Sequence, residues 1–162
     1  MIRRFNKILF GIMPAILLIA CADAPTIPVA PAEKNQSPDQ FPVLSYNIVD
    51  TKKINKTIHE AIQNKEEWVR NPILIVHKYL KTSGVLSFVS IVAKSSGGEQ
   101  PSSVTVTVTE SGYLDDSVAG GWFQFYLDRN NAKSIWQVKE IRQANLCGRM
   151  NSLNSFSKEN CP

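Results

Sequence analysis

Asp115 and Asp116 stand side by side, ahead of Ser117, in the stretch GYLDDSVAGGW. Two carboxylates and a hydroxyl are hard oxygen donors that could ligate Ca²⁺ or supply an acid/base pair. A calcium loop draws its oxygens from alternating positions and closes on a glutamate, and neither feature follows here. The expectation is a polar turn between strands, with Gly120 and Gly121 serving the entry into the strand around Trp122. The two histidines, His59 and His77, could act as bases. Neither belongs to a local pattern with Ser, Cys or Asp of the kind that pairs a nucleophile with its base. The chain contains no G-x-S-x-G, HExxH, P-loop or Cys-x-x-Cys. Structural or solvent-facing histidines are expected, and no catalytic residue or metal ligand is assigned.

Cys21 is the third chemically distinctive position. Arg3, Arg4 and Lys7 precede an uncharged run from Ile8 to Ala20. A basic start followed by an apolar core of about 13 residues is the layout of a signal peptide. The run is too short to span the roughly 30 Å of a bilayer's hydrocarbon, and Pro14 interrupts it. Its end, Leu18-Ile19-Ala20-Cys21, resembles the bacterial lipobox. The resemblance implies cleavage before Cys21 and a covalent lipid on its sulfur, the one prosthetic group expected; residues 1–20 are then leader. Two or more acyl chains anchor a protein stably where one does not. In enterobacterial lipoproteins an Asp directly after the cysteine favours inner-membrane retention. Here Ala22 follows, so the resemblance implies an outer-membrane lipoprotein facing the periplasm.

The leader changes the charge and the cysteine count. It holds three basic residues and no acid, so a net charge of +4 falls to +1 beyond it. No basic stripe remains to suggest a nucleic-acid partner. With Cys21 acylated, Cys147 and Cys161 are left as an even pair in an oxidising compartment, which reads as a disulfide. Free thiols or a metal site are the alternatives, and no histidine lies near enough in sequence to complete a zinc set.

These residues need elements to place them. Residues 21–42 carry five prolines and no apolar periodicity, which predicts a lipidated cysteine on an extended tether reaching roughly 60 Å. Residues 43–162 form one domain. Ile54, Ile58, Ala61 and Ile62 recur at helical spacing, with Asp50 or Thr51 as the cap. A second helix starts at Asn71-Pro72 and stops near Gly84, with Ile73, Val76 and Leu80 inward and Trp68 at the joint; a short strand over Ile73–Val76 is the competing reading. Four strands follow, at Val85–Lys94, Ser103–Glu110, Gly121–Arg129 and Ser134–Gln143. In the last, Trp136 and Val138 share a face and Ile141 breaks the alternation, which predicts a bulge near Lys139-Glu140. Asn130 and Asn131 suit the hairpin turn before it. The order predicts an α+β fold, N-terminal helices on a four-stranded antiparallel meander, comparable in architecture to a cystatin-like or NTF2-like cone.

Phe123, Phe125 and Leu127 fall on one face of the third strand; Trp122, Gln124 and Tyr126 fall on the other. If helices cover the first face, the second is an aromatic patch suited to a partner. The segment Trp136–Cys161, with NLCG and Arg149, together with DDSVAGGWFQFYLDR, loosely resembles small exported bacterial proteins that end on a Trp-bearing strand, a Cys-Gly-Arg region and a final Cys. That resemblance implies the disulfide and the meander and transfers no catalytic residue. Three functions are ordered accordingly. First is a non-catalytic lipid-anchored envelope protein acting through a protein partner. Second is a periplasmic module binding a small ligand or lipid between helix and sheet. Third is an envelope hydrolase using a histidine.

Overall fold

The computed structural model describes residues 37–80, 86–130, 134–148 and 154–162. The expected leader, Cys21 and the expected tether up to residue 36 lie outside the described residues, as do Gly84, Asn131 and Arg149. From Asn35 to Pro162 the chain is one compact unit.

Helix α1 spans Lys52–Gln63 and buries Ile54, Ile58 and Ala61, the expected stripe. Its first turn is held by Asp50, whose Oδ1 accepts from the Lys52 amide at 2.9 Å; Thr51 makes no side-chain cap. A 3₁₀ turn, Glu67–Arg70, carries Trp68 into the joint, where it packs partly buried. Helix α2 spans Pro72–Leu80, so the helical reading of this stretch holds over the strand. Asn71 Oδ1 accepts from the amides of Ile73 (2.9 Å) and Leu74 (3.4 Å), satisfying donors that a helix start leaves free. Val76 is buried and Leu80 packs against the core as expected, but Ile75 takes the inward place expected of Ile73, which is exposed. Four consecutive apolar residues, Ile73 to Val76, leave the phase undetermined by pattern; packing of Tyr79 edge-on to Phe125 at 5.3 Å selects it.

The sheet has five strands, one more than expected. Strand β1 is Asn47–Val49, β2 Phe88–Ser95, β3 Ser103–Ser111, β4 Val118–Asn130 and β5 Ile135–Cys147. The order is β1-β5-β4-β3-β2, antiparallel throughout: the predicted meander with β1 added beside β5. β1 itself is only three residues long, and the alternation of Leu44, Tyr46 and Ile48 that runs into it is short. The β4–β5 register shifts between Tyr126↔Glu140 and Leu127↔Val138, leaving Lys139 as an extra residue at the expected bulge. The bulge rephases β5, so that Trp136, Val138 and Ile141 all reach the core.

The helices cover the face bearing Val104, Val106, Val108, Phe125 and Leu127. Each such side chain, fully buried, contributes roughly 1.5–3 kcal/mol relative to exposure. A smaller cluster closes one corner of the opposite face: Ala144, Leu146 and Phe156, with Phe41, Val43, Ala119 and Trp122 packed against them. Residues 38–42, expected as the end of the tether, belong to this corner. Pro38–Gln40 form a 3₁₀ turn, Phe41 meets Phe156 ring to ring at 6.2 Å, and the Pro42 carbonyl accepts from the Phe156 amide. The Cys147–Cys161 disulfide is formed and ties this C-terminal segment to the end of β5. Among the described residues no helix is long and apolar enough to cross a membrane.

Candidate functional site

The register places side chains in rows across the sheet face away from the helices. One row runs Ile48, Arg142, Gln124, Thr107, Val92; the next runs Glu140, Tyr126, Thr105, Lys94; a third runs Ala144, Trp122, Thr109, Ser90. Trp122, Gln124 and Tyr126 therefore do share the uncovered face, each half-buried. Their environments differ. Trp122 leans on the Phe156 corner cluster. The Tyr126 hydroxyl donates to Gln124 Oε1, and Gln124 Nε2 donates to Thr107 Oγ1 at 3.2 Å.

Arg142 organises the centre of this face. Its guanidinium lies 4.7 Å from the ring centroids of both Tyr46 and Tyr126, and its Nε donates to Glu140 Oε1 at 2.5 Å. The Glu140 hydrogen bond holds Arg142 further toward its charged form, against a smaller opposing effect of burial. A cation between two ring faces, fixed by a carboxylate, keeps a large flat side chain preorganised. Beside it stand Tyr46 (39% exposed) and Ile48 (70%), and two residues before Tyr46 the chain exposes Leu44 (70%). Tyr46, Ile48 and Arg142 are the residues of this face that the sequence reading missed. The alternation in VLSYNIV is the signal for the first two; Arg142 has none until the β4–β5 register is known.

The other expected residues lie elsewhere. Asp115 and Asp116 occupy the β3–β4 loop, where Asp115 Oδ1 accepts from the amides of Ser117 (2.7 Å) and Val118 (3.0 Å), the turn-building role expected. No group of three or more His, Cys, Asp or Glu that could hold a metal occurs among the described residues. His59 and His77 are exposed on α1 and α2. One buried carboxylate went unnoticed in sequence: Glu110, 5% exposed, accepts from the Tyr113 hydroxyl at 2.7 Å. Burial first, then this hydrogen bond and the Glu110 charge, pushes the Tyr113 hydroxyl well above the ordinary tyrosine range. Gly121 makes the arrangement possible, because a Cβ there would lie 2.8 Å from the Tyr113 hydroxyl and 2.9 Å from the Phe123 ring.

On the helix side, α1, α2 and β4 enclose a cleft of about 440 Å³ floored by Ile54, Tyr79, Leu80 and Phe123. No protein-family model, no curated protein and no solved structure matches this chain.

Proposed function

We propose that this protein is a non-catalytic lipoprotein of the bacterial envelope, held by a lipid on Cys21, that docks a protein partner through the uncovered sheet face. The observation that carries the reading is the Tyr46–Arg142–Tyr126 stack with exposed Ile48 paired to Arg142. Tyrosine and arginine are enriched among the residues that dominate interface energies, and a prefixed Arg loses little freedom on binding. Helices over an antiparallel sheet, in the manner of a cystatin-like or NTF2-like cone, leave such a face free to work. The lipobox resemblance supplies the address: periplasm-facing, on the outer membrane. The reading as a small-ligand or lipid-binding module draws instead on the cleft on the opposite side.

The test places a photo-crosslinking amino acid at Ile48, and separately at His59 on the outer side of α1, in the bacterium that makes the protein. One envelope protein captured from Ile48 and not from His59, with capture lost in Arg142→Ala, is the expected result. Equal capture from both positions, or none from Ile48 at normal expression, refutes the docking face. Cys21→Ser run beside it should move the protein from the membrane fraction to the soluble one. Continued membrane association would remove the anchor from the reading.

A further inference from the structure

We infer that the cleft between α1 and α2 binds a small anionic amphiphile: an apolar chain or ring system ending in one negatively charged head. This site lies across the sheet from the proposed docking face and does not depend on it. Pockets that hold small organic molecules measure roughly 300–1,000 Å³, and this cleft, at about 440 Å³, is within that range. Its floor is apolar and fixed. Ile54 is buried on α1, and the Tyr79 ring is held edge-on against Phe125. Phe123 keeps its place because Gly121 offers no Cβ to displace it.

The rim specifies the charge. Lys53 and Lys78 line the cleft, and among the described residues no acidic one does. Lys52, Lys56, Arg70 and Arg142 each have a carboxylate within 4 Å, whereas Lys65, Lys94, Lys139 and Lys158, like the two rim lysines, have no ion pair among the described residues. What distinguishes Lys53 and Lys78 is that both border one apolar cleft. The Lys78 ammonium rests 5.7 Å from the Trp68 ring centroid. Two unneutralised cations beside an apolar floor match a ligand with an apolar body and an anionic end. The start of α1 is already capped by the Asp50 carboxylate on the Lys52 amide, and the carbonyl end of α2 favours cations, so discrimination falls to the lysines.

The full chain carrying Cys21→Ser, which keeps any acyl group off the protein, is titrated with decanoate and with decyltrimethylammonium, both below micelle formation, by calorimetry. Decanoate is expected to bind one site at least tenfold more tightly than the cation of equal chain length. Lys53→Gln combined with Lys78→Gln should weaken decanoate about tenfold and abolish the preference, with the circular dichroism spectrum unchanged. Both lysines are exposed, so the double variant folds as the parent does. Equal affinity for the two amphiphiles, unaltered decanoate binding in the double variant, or no saturable binding of decanoate overturns the inference.

Discussion

At the scale of single residues, Asn55 shows how one side chain substitutes for a missing strand. β1 covers only Gln143 to Ile141 of β5, so the neighbouring stretch of β5 has no strand on that side. Asn55 reaches down from α1, donates from Nδ2 to the Val138 carbonyl at 2.8 Å, and accepts from the Val138 amide at 3.0 Å. Both groups are partly buried and sit next to the Lys139 bulge. Asn55→Ala leaves donor and acceptor unpaired, so a loss of about 2 kcal/mol is expected in urea unfolding. A change below about 0.5 kcal/mol would mean that water replaces the amide at no cost. Tyr113 gives a second residue-level expectation. Its folded pKa is raised, so its contribution is complete below the unfolded value near pH 10 and is lost as pH rises beyond it. Stability should therefore fall from about pH 10 upward, and Tyr113→Phe should fall less steeply over the same range. Parallel curves would assign the alkaline loss to other groups, Tyr79 first, whose hydroxyl is also raised by burial.

At the scale of elements, the C-terminal segment is held twice, by the Cys147–Cys161 bond and by Phe156, fully buried in the corner cluster. Closing a loop of this length stabilises by about 3 kcal/mol in the chain-entropy account. Cys147→Ser with Cys161→Ser should lower unfolding free energy by that order. Phe156→Ala, which empties the corner, should cost about 3–5 kcal/mol with the bond intact. The two should not add. Once the bond is gone the segment can detach alone, so Phe156→Ala should cost less in the serine background. Additive losses would mean that Phe156 and the disulfide stabilise different units. What the sequence made legible divides along the same scale. The α1 stripe, the Asn71-Pro72 start, the valine alternation of β3 and the Lys139 bulge each follow from local pattern, and each is where the pattern placed it. The phase of α2 is hidden by Ile73-Leu74-Ile75-Val76, in which every face is apolar. β1 depends on pairing with β5 from the far end of the chain, and the Tyr46–Arg142–Tyr126 stack depends on that pairing in turn. The uncovered face of β4 was legible as alternation alone. The side chain at its centre was not, because Arg142 reaches Tyr126 only through a register no local pattern encodes.

At the scale of the whole molecule, the proposed anchor and the proposed docking face are joined by the proline-rich residues between Cys21 and the compact unit that starts at Asn35. Beyond the proposed leader the chain carries +1, so no net polybasic attraction to anionic lipid would stand in for the proposed acyl group. Attachment would then rest on the lipid and reach on the tether. Proline-rich chain spans about 3.1 Å per residue, so deleting Asp23–Lys34 withdraws roughly 35 Å of reach. If the partner stands away from the lipid surface, the shortened protein should stay in the membrane fraction and keep its urea midpoint, yet lose the Ile48 crosslink. Binding in solution between the unanchored protein and the captured partner should be unaffected, because the tether acts only through effective concentration. Restoring the length with a different proline-rich sequence should restore the crosslink, since span rather than side-chain identity is what the tether supplies. A crosslink that survives the deletion at full yield would place the partner's site at the membrane surface, and the tether would then have no part in docking.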